Sequence, residues 1–352
     1  MGVITMMYRK QRNYGCRIHD RYEWDGMRVV IMENEKVRVG ILPDKGAEIF
    51  EFLYKPMDLD VMWLSPNGVQ NPHRYPGAYA NPSTNFVDYY TGGWQEVFPN
   101  GGPPSRMKGA YFGQHGEVSQ APWDYAILCD EPERIEVAFT VHTRKYPFRL
   151  RKVLRLNKNS GKLFIREEAE NLSQAELPAM WGHHIVFGPP FLEPDCIIRL
   201  PGQPVIIPHD EPTSRTGRRV GGTAVSHWPY ADGPNHEKID FSRIPPPGTK
   251  SEMLYIGNLQ EGAYTLTNPR IGAQVTVTWD HKTFPYLWYW QEYGDNMDYP
   301  WYGRTYNIGL EPFSSMPTNG LQTAADRGTT LLFRAQETKR FELTFEVGES
   351  KE

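Results

Sequence analysis

Polar and apolar positions alternate along most of this chain with a period of two. Val37, Val39 and Ile41 are separated by Arg38 and Gly40. Ile135, Val137, Phe139 and Val141 are separated by Glu136, Ala138 and Thr140. The same rhythm returns at Val275, Val277 and Trp279, and again at Phe341, Leu343, Phe345 and Val347. Side chains of a strand point alternately to its two faces, so these runs predict half-buried β-strands. No long run carries the 3.6-residue period of an amphipathic helix. The 32 Gly and 30 Pro fall largely between the runs, where turns need them. The pattern predicts an all-β fold, with helix limited to short turns. It also predicts one domain over residues 1–352, with 1–27 as an N-terminal extension.

Two stretches interrupt the rhythm. Residues 66–104 are dense in Pro, Gly, Asn and Tyr, and residues 201–250 in Pro, Gly, His and Arg. Loops this long are usually functional or unstructured. Their aromatics (Tyr75, Tyr79, Tyr89, Tyr90 and Trp94; Trp228, Tyr230 and Phe241) argue for ordered loops that line a site. Strand patterns of one kind flank both, so neither reads as a domain boundary.

Composition narrows the picture a little. A formal charge of −4 gives no general pull toward nucleic acid or anionic membrane. Ten Trp, 20 Tyr and 16 Phe suit a carbohydrate binder, since aromatic faces pack against the C–H face of a pyranose, but large sheets also use aromatics in their packing. Cys16, Cys129 and Cys196 are too few and too scattered for a disulfide framework, which fits a reducing, cytoplasmic setting. Met1 to Lys10 has no apolar run before its charges, so no signal peptide is expected. No uncharged apolar stretch is long enough to predict a membrane span.

Three short segments carry the chemistry. His115 lies in Gly113-Gln114-His115-Gly116-Glu117, ahead of Trp123. His183 and His184 lie in Trp181-Gly182-His183-His184-Ile185-Val186-Phe187. Glu311 lies in Gly309-Leu310-Glu311-Pro312. Imidazole and carboxyl groups are the usual equipment for moving protons to and from a neutral polar substrate. Adjacent strand residues diverge, so only one of His183 and His184 can face a given ligand. Trp94 and Glu96 stand in the first long loop and could stack on and hydrogen-bond to a sugar, or close a sheet edge. Of the run Trp288-Tyr289-Trp290-Gln291, either the two Trp or Tyr289 with Gln291 face a site. Arg215, Arg218 and Arg219 form a small basic cluster that reads as a phosphate grip or, more commonly, as a solvated loop.

Four segments together resemble the galactose mutarotase-like superfamily, which includes the aldose 1-epimerases. They are the strand pair from Glu33 through Ile49, His115-Gly116 with Trp123, His184-Ile185-Val186-Phe187, and Phe284-Pro285-Tyr286-Leu287 through Trp290 and on to Glu311-Pro312. The likeness spans residues 28–347. It implies a large antiparallel β-supersandwich with a small-molecule carbohydrate held on the concave face of one sheet. It implies anomer interconversion by acid–base ring opening, with no metal and no organic cofactor. By resemblance Glu311 is the base, His184 the acid, and His115 orients the substrate. Trp94, Glu96, Arg106, His183, Tyr289, Trp290 and Gln291 are the expected substrate-binding set. The chain departs from the family at Val186, where Tyr is common, and at Gly188-Pro189-Pro190-Phe191, where Asn-Leu is usual. Arg106 is the nearest basic residue upstream of His115, in place of the family's early arginine motif. Asp240 is a loose candidate for its sugar-binding aspartate.

Three rivals remain on the sequence alone. His115 with Glu117 and the His183–His184 pair resembles a cupin-type ligand set, although adjacent strand histidines diverge. A carbohydrate-binding protein without catalysis would use the same aromatics. Another ring-opening or lyase reaction on a sugar would use the same acid–base pair.

Overall fold

The computed structural model describes residues 12–74 and 84–350. Tyr75, Tyr79 and the segment Met1 to Lys10 lie outside the described residues.

The four alternating runs become the strands Val37–Leu42, Arg134–His142, Ala273–Trp279 and Thr338–Glu349. Their inward residues are nearly all sealed from solvent, and most outward ones are at least partly exposed, Gly40 and Ala138 being buried. Two large sheets hold these and most other strands, and every strand pair is antiparallel. The first sheet runs in the order Arg17–Trp24, Met27–Glu33, Val37–Leu42, Glu48–Tyr54, Trp94–Val97, Gly182–Phe187, Asn307–Phe313, Tyr286–Glu292, Glu252–Gly257, Val205–Pro208 and Ser226–His227. The second runs from Ile197–Arg199 through Gly262–Asn268, Ala273–Trp279, Thr338–Glu349, Lys162–Asn171, Phe148–Asn157 and Arg134–His142 to Asp124–Glu131. The α-helices among the described residues are the single turns Thr84–Asp88 and Leu321–Asp326. None is long and apolar enough to cross a membrane.

The inner faces of the sheets meet on aromatic rings. Phe345 of the second sheet lies 4.5 Å from Phe52, 5.3 Å from Trp94 and 6.2 Å from Phe187 of the first, between ring centroids. This is the β-supersandwich that the sequence implies.

Four neighbouring strands of the first sheet depart from simple alternation. Trp94–Val97, Gly182–Phe187 and Asn307–Phe313 are buried at every position, and Tyr286–Glu292 at most. One of their faces packs on the second sheet. The other is covered by loops, and that covered face holds the site.

Two expectations change here. Residues expected to precede the fold include a full edge strand, Arg17–Trp24, paired with Met27–Glu33. The two long loops also contain sheet: Trp94 and Glu96 stand in a central strand, and 201–250 contributes Val205–Pro208, Ser226–His227, Tyr230–Asp232 and Lys238–Asp240.

Candidate functional site

Register and alternation decide which side chains reach the covered face. His184 stands opposite Gln95, while His183 stands opposite Glu96 and Ile185 opposite Trp94. Since neighbours alternate, His184 and Gln95 point to the covered face, and His183, Glu96 and Trp94 point between the sheets. On the adjoining strands Trp288 pairs with Glu311 and Trp290 with Gly309, which puts Glu311, Trp288 and Trp290 on the same side as His184.

These residues bound a cavity of about 450 Å³. His184 and Glu311 form its floor with Trp288, Trp290 and Met253. Phe86 and Tyr90 come over from the helical turn Thr84–Asp88, and Tyr299, Pro300 and Trp301 from the loop after Glu292. A hydrogen bond from Tyr299 Oη to Asp88 Oδ1, 2.6 Å, joins these two walls. His115, Gln114, Gly102, Pro103 and Thr318 close the opposite side.

The imidazole Nε2 of His184 lies 3.8 Å from Oε1 of Glu311, and its Nδ1 lies 3.2 Å from Tyr90 Oη. Burial pushes the Glu311 carboxyl well above the usual carboxylate range. Burial, and then the neighbouring His115, push the His184 imidazole well below its ordinary value. Burial thus disfavours the charged form of both groups. In the tautomer whose Nδ1–H donates to Tyr90, Nε2 is an acceptor facing the protonated carboxyl. The pair then holds one mobile proton. Glu311 Oε2 is buried without a hydrogen-bond partner among the described residues.

Gly309 gives that carboxyl its room. A Cβ at this position would stand 2.3 Å from Glu311 Oε1. His115 is delivered by a tight turn, with φ of 55° at His115 and 79° at Gly116. A side chain at 116 would strike the Phe98 carbonyl oxygen at 2.2 Å. A left-handed histidine is costly, and such strain gathers at functional sites. Its Nδ1 accepts the Gly102 backbone N–H at 3.3 Å, which directs the proton to Nε2. Burial holds the ring neutral, with its pKa down to about 3. The His115 and His184 rings stand 5.2 Å apart, and Phe86 packs edge-on to His115 at 4.5 Å.

The expected site residues thus divide. His115, His184, Glu311 and Trp290 share the cavity. Trp94, Glu96 and His183 do not. They belong to a buried network on the inner face, in which Trp94 Nε1 donates to His183 Nδ1, Trp181 Nε1 donates to Glu96, and His183 Nε2 meets Glu167 at 3.1 Å. Lys152 lies 3.4 Å from Glu96. Tyr289 and Gln291 occupy the opposite face from Trp290: Tyr289 neighbours Tyr293, and Gln291 accepts from Arg219 at 2.5 Å. Arg106 is exposed on the hairpin Ser105–Met107/Ala110–Phe112, its guanidinium over Tyr111. Asp240 caps Ser242 on the strand Lys238–Asp240. The cupin-type set is dispersed as well, for Glu117 accepts from the Arg144 backbone while His183 faces inward. No three His, Cys, Asp or Glu side chains among the described residues are grouped to hold a metal ion.

Sequence reasoning missed Phe86, Met253, Thr213 and Trp301. They sit on a short helical turn, in irregular segments or on a fully buried strand, where no period marks them. The aromatic density of the first loop was the usable signal, and it did point to Tyr90.

A model of the family DUF4432, a domain of unknown function, matches residues 24–347. No curated protein matches the chain in sequence. Among solved structures, a presumed aldose 1-epimerase of Klebsiella pneumoniae subsp. pneumoniae superposes with a TM-score of 0.74 at 14% identity, covering 95% of this chain and 83% of its own. A galactose mutarotase-like protein of Clostridium acetobutylicum gives 0.64 at 13%, covering 95% and 99%. Another from Lactobacillus casei gives 0.61 at 18%, covering 91% and 100%. At these identities the likeness establishes the fold.

Proposed function

The chain belongs to the DUF4432 family, and we propose that it interconverts the anomers of an aldose by acid–base opening and reclosing of the ring. One observation carries the reading. Glu311 and His184 face each other 3.8 Å apart on the floor of an aromatic-walled cavity, with a carboxyl oxygen left unpartnered. The structural neighbours described as mutarotase-like or as presumed epimerases support it at the level of fold.

The proton balance works as follows. Before ring opening the mobile proton rests on Glu311. On ring opening, Glu311 gives that proton to the ring oxygen as the C1–O5 bond breaks. His184 Nε2 takes the proton of the C1 hydroxyl, and the C1–O1 bond becomes the aldehyde double bond. Rotation about C1–C2 presents the other carbonyl face. On closure the C5 hydroxyl oxygen attacks C1, its proton returns to Glu311, and His184 delivers its proton to O1. Glu311 is thus acid on opening and base on closing, the reverse of the starting order that the family likeness implies. The reason is burial, which disfavours an ionised Glu311 before substrate arrives. His115, a fixed Nε2–H donor, orients the sugar through a hydroxyl or ring oxygen.

Polarimetry or saturation-transfer NMR on freshly dissolved anomers tests this, with spontaneous mutarotation subtracted. Glu311→Gln should lose about 10²–10⁴-fold in turnover, the usual worth of a positioned proton-transfer group, with little change in sugar affinity. Full activity in that variant would sink the mechanism. Saturable sugar binding with no turnover in the wild type would leave a binding protein on the same fold.

A further inference from the structure

The polar groups offered to a ligand are few and nearly all uncharged. Glu311 Oε2 and Thr213 Oγ1 are buried in the cavity wall without partners among the described residues. His115 adds one N–H, and Gln114 and Thr318 stand at the same side. No Lys or Arg lines the cavity among the described residues. The arginines once open to a phosphate-binding reading are engaged elsewhere: Arg215 with Asp298 at 3.0 Å, Arg218 with Glu252 at 3.3 Å and Arg219 with Gln291. An anionic substituent would lose its hydration and meet no cation, with a carboxyl group nearby.

Against these hooks stands a large apolar wall. Phe86, Tyr90, Trp290, Trp301, Met253 and Pro300 surround the floor. An aldohexopyranose carries five hydroxyls and a ring oxygen. Each hydroxyl turned toward the ring faces and C–H groups of that wall exchanges water for a surface that cannot hydrogen-bond, and an unpaired buried hydroxyl weakens binding. A C–H or methyl group at the same point gains contact instead.

We infer that the cavity selects an uncharged aldose in which at least one non-anomeric hydroxyl is replaced by hydrogen or capped as a methyl ether. The inference rests on the ring-opening reading for its choice of sugars, but its test reads binding alone. The wild-type protein is titrated, with tryptophan fluorescence and calorimetry as readouts, since Trp290 and Trp301 line the cavity. The probes are 2-deoxyhexoses, 6-deoxyhexoses and 3-O-methylhexoses, their parent hexoses, hexose 6-phosphates, hexuronates and protonated hexosamines. At least one deoxy or O-methyl sugar should bind about ten-fold more tightly than its parent, equivalent to about 1.4 kcal/mol. Phosphates and uronates should give no saturable signal. Any charged sugar binding as tightly as the neutral parent overturns the inference. So does a parent that matches every substituted form, or a panel in which nothing saturates. Polarimetry on the same panel separates the two readings. Turnover without the substituent preference sinks only this inference, whereas the preference without turnover sinks only the ring-opening reading.

Discussion

At the scale of single residues, the chemistry depends on two groups held away from their ordinary protonation states by the same burial. In the mechanism we propose, one mobile proton is shared by Glu311 and His184, so activity requires that the pair hold neither two protons nor none. Acid adds a second proton at His184. Because burial lowers that imidazole below 6.5, the acid limb of kcat/KM should lie below pH 6.5. Base removes the proton from Glu311. Because burial raises that carboxyl above 4.5, the alkaline limb should lie well above pH 4.5. Both limbs belong to the pair rather than to either residue. A pH–rate profile with an acid limb at or above 6.5 would contradict the assignment. The same burial has a stability consequence. A carboxyl whose folded pKa is raised contributes stability that is complete below its unfolded value and is lost as pH rises through the folded one. Glu311→Gln removes that dependence. It should therefore melt no lower than the wild type at neutral pH, and on the order of 1 °C higher if the full effect appears, as calorimetry would show.

At the scale of elements, the site is a property of four strands buried on both faces. Gly309 is the narrowest point of that arrangement, since a methyl group there meets Glu311 Oε1 at 2.3 Å. Gly309→Ala should leave the far-UV CD spectrum of the sheet unchanged while displacing the carboxyl. Turnover should fall on the order of ten- to hundred-fold, the scale expected for an ångström of misplacement. Unchanged turnover would show that the carboxyl position is not critical. These strands also mark where sequence reading stopped. The half-buried strands were legible because one face is wet and the other dry, so Val37–Leu42 and Thr338–Glu349 announce themselves. The same two-residue rule separates His184 from His183 once the strand is granted. It failed at Trp94–Val97, whose four residues are all buried and follow two glycines, so that Trp94 and Glu96 read as loop. The aromatic walls were harder still. Phe86 reaches the cavity from a single helical turn and Trp301 from irregular backbone, where contact depends on distant partners such as the Tyr299–Asp88 hydrogen bond rather than on any local period.

At the scale of the whole molecule, the two sheets share a core and also a charge. Glu96 and Glu167 lie between them beside Lys152 and His183, and burial pushes both carboxyls up to about 7. Through these two carboxyls the folded state holds protons that the unfolded chain releases from about pH 4.5 to about 7, so their contribution to stability should decline as pH rises through that window, while the buried His183 imidazole, lowered to about 4, contributes the opposite slope up to pH 6.5. Glu96→Gln should flatten the decline in melting temperatures measured across it; an unaltered slope would assign the effect elsewhere. We also propose that the described residues unfold as one cooperative unit. Apolar residues from Cys16 to Val347 form one continuous cluster, so calorimetric and spectroscopic transitions should coincide. The place of the strand Thr338–Glu349 has a consequence for how the protein is made. It lies between Lys162–Asn171 and Ala273–Trp279 in the middle of the second sheet. Until translation reaches it, those two strands present bare edges to the crowded space around the ribosome. Partial sheets with open edges are sticky. A chain halted before residue 338 should therefore aggregate where the full chain does not, as light scattering after translation in vitro would show.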